Sequence, residues 1–174
     1  MTPLELLLFI PLAVLTNTVL PVSFDPFLVA FAAGRGPREA WTLALVGTAC
    51  AAAGALLDLR VAALARTWKL PGWAHHFPAP SGAAFYTWTA LLALSPLPFV
   101  LVRAALIRER PSPALYALSV AAGRLPRYIL LIFVWQTLSL PGWAGLAIPA
   151  AATLFAVLKA RADHLRAIGS ATHP

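Results

Sequence analysis

Pro21-Val22-Ser23-Phe24-Asp25-Pro26-Phe27 interrupts a run of residues that is otherwise apolar from Leu4 to Ala33. The apolar arm before it, Leu4 to Leu20, is about 25 Å long as a helix and must stop at Pro21, which has no N–H to donate into a continuing helix. The arm after it, Phe27 to Gly34, is only about 12 Å long, too short for a hydrocarbon core of about 30 Å. Two readings follow. Either the segment is a re-entrant hairpin with Pro21 to Pro26 at its tip, or it is a single spanning helix broken at mid-depth. Arm length favours the hairpin.

An aspartate beside such a break is expensive in lipid unless it is neutralised or paired, so Asp25 is a functional candidate. It could also be an interfacial loop charge, but apolar runs on both sides of it argue for depth.

The rest of the chain agrees with a lipid solvent. Sixty per cent of the 174 residues are hydrophobic and 11% are charged, which excludes an ordinary soluble domain. Several apolar runs follow one another, so the expected architecture is all-α: a polytopic integral membrane protein with one membrane domain over residues 1–158. The net charge of +7 does not point to nucleic acid, because most basic residues stand in short connections or just beyond apolar runs. Cys50 is alone, so there is no internal disulfide framework. The N-terminus has no basic region or cleavage site of a signal peptide, and the first run is expected to be mature structure.

After the turn Arg35-Gly36-Pro37-Arg38-Glu39, Ala40 to Ala65 reads as a full span. Its small residues, Gly47, Ala51, Gly54 and Ala55 among them, suit close helix packing in lipid. Arg66 to Pro78 holds tryptophans, basic residues and His75-His76, and reads as an interfacial loop. The opening pattern then recurs: an apolar arm from Gly82 to Leu94, the break Ser95-Pro96-Leu97-Pro98, and a short arm carrying Arg103 up to the turn Arg108-Glu109-Arg110-Pro111. Ala114 to Gln136 is the next span.

A shift of 75 residues places Pro21 on Pro96, Phe24 on Phe99, Ala30 on Ala105, Arg35 on Arg110 and Trp41 on Tyr116. This predicts an inverted repeat, residues 4–66 and 82–137, built from two proline-broken hairpins plus three to four spanning helices. Matching interruptions in two halves are the sequence pointer to a transporter-type site at the repeat interface. A final span, 143–158, and a polar tail, 159–174, complete the chain. Charge bias puts the tail in the cytoplasm, but it ties between the hairpin and kinked-span topologies.

The remaining site candidates are cationic. Arg103 lies on the second short arm; it is either an anion ligand or a side chain that snorkels to the headgroups. Arg124, about 15 Å into its span, and Arg127, around Pro126, are beyond such reach and require an internal anion. Asp25 can supply one, or the two halves can be held by a purely structural buried ion pair. Asn17 is placed to donate to Asp25. Asp58 and Arg60 are secondary candidates near the far end of the central helix, where interfacial solvation explains them. No metal set, nucleophile–base spacing or phosphate-binding glycine loop occurs, so neither a cofactor nor an enzymatic activity is expected.

These residues resemble a family. Pro21-Val22-Ser23-Phe24-Asp25 is similar to the Pro-x-Pro-Gly/Ser-Glu signature of the DedA superfamily of SNARE-associated, or VTT-domain, membrane proteins. Asn17 and Gly34 stand where an asparagine precedes that signature and a glycine ends the second arm. Gly54-Ala55-Leu56-Leu57-Asp58, Ser95-Pro96-Leu97-Pro98-Phe99 with Arg103, and Gly123-Arg124-Leu125-Pro126-Arg127-Tyr128 resemble later parts of the family, most closely its short YqaA-like branch. The resemblance covers residues 5 to 135 and describes a divergent member.

It implies two inverted hairpins whose tips meet near the midplane of a bacterial inner membrane. It also implies flippase- or scramblase-like movement of an anionic lipid headgroup, polyprenyl phosphate or phospholipid, between leaflets. In that case Asn17, Asp25, Arg103, Arg124 and Arg127 bind the headgroup, with Asp25 as proton carrier. Membrane lipids and protons are then the partners, with a homo-oligomer compatible. The alternative from another class is a non-transporting scaffold or assembly subunit in which the same charges hold helices together.

Overall fold

The computed structural model describes residues 2–18, 23–67, 80–95 and 99–139 with the single positions 141, 143, 144 and 147. The centres of both proline breaks, the loop with His75-His76, the greater part of the expected final span and the whole tail lie outside the described residues. Among the described residues the chain is all-helical and has no strand. Six helices follow one another: α1 Pro3–Thr18, α2 Asp25–Ala32, α3 Pro37–Ala65, α4 Ala83–Leu94, α5 Val100–Arg108 and α6 Pro113–Thr137.

They fall into two triads with the same order of lengths, 16, 8 and 29 residues and then 12, 9 and 25. Only α3 and α6 are long and apolar enough to cross a membrane. At 1.5 Å per residue they measure about 44 and 38 Å, whereas α1 and α4, at about 24 and 18 Å, are shorter than a hydrocarbon core.

Local chemistry sets the ends. Thr2 and Glu5 form a capping box at the start of α1: the Thr2 N–H donates to Glu5 Oε2 at 2.7 Å and the Glu5 N–H to Thr2 Oγ1 at 3.3 Å. Gly34, with φ of +72°, ends α2 in the left-handed conformation that favours glycine. Both long helices open on a proline, Pro37 and Pro113, whose fixed φ suits a first turn. For that reason α3 starts three residues earlier than the apolar run, and part of the expected polar turn is helix. Pro11 and Pro126 sit inside continuous helices, so neither acts as a terminator.

Each triad folds back so that the start of its first helix meets the end of its second. Arg35, just past α2, bridges Glu5 at 2.7 Å and also the Phe31 carbonyl. The Arg35 hydrogen bond, helped by that of Thr2, holds the exposed Glu5 carboxyl below the ordinary range, at about 2. In the second triad the Ser112 N–H donates to Tyr86 Oη at 2.9 Å. The ends of α5 and α3 are joined as well: Arg66 donates to the Leu106, Ile107 and Glu109 carbonyls, which have no partners within the last turn of α5.

Helices α3 and α6 run antiparallel along a shared seam, with Gly47 beside Tyr128 and the start of α3 beside Gln136 near the end of α6. Glycine permits the tightest contacts. Gly54 faces Asn17 and Thr18 of α1, and Gly123 faces Ala90, Ala93 and Leu94 of α4. The short helices pack crosswise, α2 against α6 and α5 against α3. One apolar core therefore joins Phe9, Phe24, Leu28, Leu43 and Tyr128; the other joins Phe85, Val102, Leu106 and Tyr116. The 75-residue shift is not obeyed in every side chain: Trp41 is exposed and Tyr116 is fully buried.

Candidate functional site

The crosswise packing puts charged side chains where apolar ones would cost less. At the first crossing, Asp25 on the first turn of α2 meets Arg124 and Arg127 of α6. Arg127 forms a hydrogen-bonded ion pair with Asp25 Oδ2, and Arg124 Nη1 lies 3.9 Å from Oδ1. Ser23 Oγ donates to Asp25 Oδ2 at 2.7 Å. Arg124 and Arg127 are three residues apart and Arg124 and Tyr128 four, so one helix face presents all three.

The Arg124 guanidinium lies over two rings, 5.3 Å from the Phe99 centroid and 5.9 Å from that of Tyr128. Ring quadrupoles attract a cation in this arrangement, more strongly where water is excluded. Arg124 is only 8% exposed, and its Nε has no hydrogen-bond acceptor among the described residues.

At the second crossing the signs are exchanged. Arg103 of α5 reaches Asp58 of α3, with Nε 3.2 Å from Oδ1, and also donates to the Asn17 carbonyl at the end of α1. Asp58 is 4% exposed. This corrects the expectation of an interfacial, solvated Asp58: it shares a face with Ala51, Ala55 and Ala62, all buried against the second core. Arg103 is correspondingly a paired internal cation instead of a snorkelling one. Arg60 points outward and is exposed, so the structure does not bring it to the others.

Asn17 also has a different role from the expected one. Its Nδ2 donates back to the Ala13 carbonyl at 2.6 Å, and Tyr128 Oη donates to its Oδ1 at 3.4 Å. No contact with Asp25 is seen among the described residues. Asn17 links the two crossings instead, because its side chain meets Tyr128 beside Arg124 while its carbonyl holds Arg103.

Five of the expected residues, Asn17, Asp25, Arg103, Arg124 and Arg127, thus lie in one buried polar belt with Asp58. Tyr128 and Phe99 belong to it and were not singled out from sequence, although the four-residue spacing of Arg124 and Tyr128 carried the signal. In the belt three arginines face two aspartates, a surplus of one positive charge when both carboxylates are ionised. Among the described residues no group of three or more metal-ligating side chains is present. No family model, no curated protein and no solved structure matches the chain.

Proposed function

We propose that the chain is a divergent DedA-type membrane protein that moves an anionic lipid headgroup between leaflets, and that the headgroup's phosphate binds at Arg124. The observation that carries this reading is the surplus cation in the belt. A buried arginine with one guanidinium nitrogen unpaired is costly in a low-dielectric interior, and a planar guanidinium matches phosphate oxygens. The crosswise packing supports the arrangement as an inverted repeat of two re-entrant hairpins, α1–α2 and α4–α5, around the spans α3 and α6. In a bacterial inner membrane with a cytoplasmic C-terminus, Asp25 would exchange its arginines for a proton as the phosphate enters. A proton or ligand shifts such a cycle only by its differential affinity for the two states.

Proteoliposomes holding a fluorescent anionic lipid test the reading. Asp25→Asn and Arg124→Ala, each folded by circular dichroism, are expected to abolish lipid movement, and unchanged movement in both overturns it. The alternative is a non-transporting scaffold. It is favoured by the Asp58–Arg103 pair, which closes one crossing as a lock would, and it predicts that the same substitutions cause misassembly.

A further inference from the structure

Away from the polar belt, at the end where α2 stops, two adjoining cavities share Gln136. The outer one, about 670 Å³, is polar and is lined by Gly34, Arg35, Trp135, Gln136 and Ser139. The inner one, about 290 Å³, is an apolar groove along the α3–α6 seam between Ala40, Trp41, Ala44, Ile129, Ile132 and Phe133. Ala40 and Ala44, one turn apart, make the floor, while the exposed Trp41 and Phe133 stand at the sides.

We propose that these two cavities together hold one phospholipid, with its phosphodiester in the polar cavity and one acyl chain in the groove. An apolar groove alone would not argue this, because lipid tails are as apolar as its walls and gain little by entering it. The polar end supplies the selectivity. It is rich in donors: the Gln136 amide, the Ser139 hydroxyl, the Arg35 guanidinium and the Trp135 indole N–H. That last N–H is buried with no acceptor among the described residues. Buried donors of this kind are satisfied by an acceptor-rich group, and phosphodiester oxygens are such a group. Trp41 and Arg38 flank the site as residues of a membrane interface do.

The groove also leads somewhere. Its inner end, at Ala44 and Ile129, adjoins the level where Gly47 meets Tyr128. Gln136 is nine residues, or about 14 Å, from Arg127 along α6. The site is therefore a lateral entrance from one leaflet to the belt. That it serves transport rests on the function proposed above, but its occupancy does not.

The full chain, purified in detergent, would be titrated with dioleoylphosphatidylglycerol and, separately, with dioleoylglycerol, and bound lipid counted by native mass spectrometry. Phosphatidylglycerol is expected to bind at least about tenfold more tightly than diacylglycerol, the scale of one well-made polar contact. Gln136→Ala and Ala40→Leu are each expected to weaken it by about tenfold. Phe133→Ala, at a side chain 65% exposed, removes a wall without touching either core, so it remains informative if Ala40→Leu fails to fold. Equal binding of the two lipids, or unchanged binding in folded Gln136→Ala and Phe133→Ala, overturns the proposal. Lipid binding that is lost in these variants, with no lipid movement in the unaltered protein, leaves the entrance standing and removes the transport reading instead.

Discussion

Asp58 and Arg103, 45 residues apart, pair at 3.2 Å between the central helix of one triad and the short helix of the other. Asp25 and Arg127 pair between the corresponding elements in the opposite sense. Each crossing of the fold is thus closed by one ion pair, and the consequences of cutting them differ.

Replacing either partner at the second crossing leaves one buried charge alone. Asp58→Leu or Arg103→Leu is expected to cost about 3 to 5 kcal/mol, less for the arginine variant because Asp58 can protonate. Arg103→Leu with Asp58→Leu together is expected to be close to the parent in thermal unfolding in detergent, because two apolar side chains replace two desolvated charges. A double variant as unstable as the worse single one would show that the crossing needs the charges for its shape.

At the first crossing the outcome is asymmetric. Asp25→Asn strands two arginines, whereas Arg127→Leu leaves Asp25 with Arg124 and Ser23. The aspartate variant is expected to lose the larger amount, by about 1 to 3 kcal/mol. Unfolding curves of the two variants in the same detergent measure the difference directly.

Gly123 has no room for a side chain. An added methyl would overlap the Ala90 carbonyl oxygen and lie 2.6 Å from Ala93 Cβ. Gly123→Ala is expected to separate α4 from α6 and destabilise the protein by about 1 to 3 kcal/mol. Gly36→Ala, which meets nothing within 4 Å, serves as the neutral control in the same melt.

The Glu5–Arg35 bridge places the start of α1 and the start of α3 on one side of the membrane. In a Cys50→Ala background, Thr2→Cys and Arg38→Cys are expected to react with an impermeant maleimide from the same side, and Ser112→Cys from the other. Labelling of Thr2→Cys and Arg38→Cys from opposite sides would mean that the first proline break crosses instead of returning.

Arg66 closes α5 through three carbonyls. Arg66→Ala is expected to cost about 1 to 2 kcal/mol, with Arg66→Lys recovering part of it, because a lysine reaches fewer of the acceptors. Hydrogen exchange at Ile107 to Glu109 should quicken before the rest of the chain is affected.

Much of the fold was legible because lipid makes polarity and helix breakers expensive: Pro21, Pro96 and Gly34 mark the interruptions, and long apolar runs mark α3 and α6. The pairings were less so. Asp58 looked interfacial when counted along its helix, but its spacing from Ala51, Ala55 and Ala62 put it on the buried face, a signal that depth alone conceals. Asn17 was close enough in sequence to invite a bond to Asp25, yet a helical amide can satisfy itself on the preceding turn, as it does at Ala13. Which arginine meets which aspartate depends on the crosswise packing of α2 and α5, and no local pattern encodes that.

The charge distribution between the triads bears on the history of such a fold. Both interior acids, Asp25 and Asp58, belong to the first half, and all three interior arginines belong to the second. Two copies of the first half would set carboxylate against small apolar side chains at every crossing, and two copies of the second would do the same with guanidinium. Neither half can therefore return to life as a homodimer. The exchange of signs works as a ratchet that commits the two halves to a single polypeptide in a one-to-one ratio.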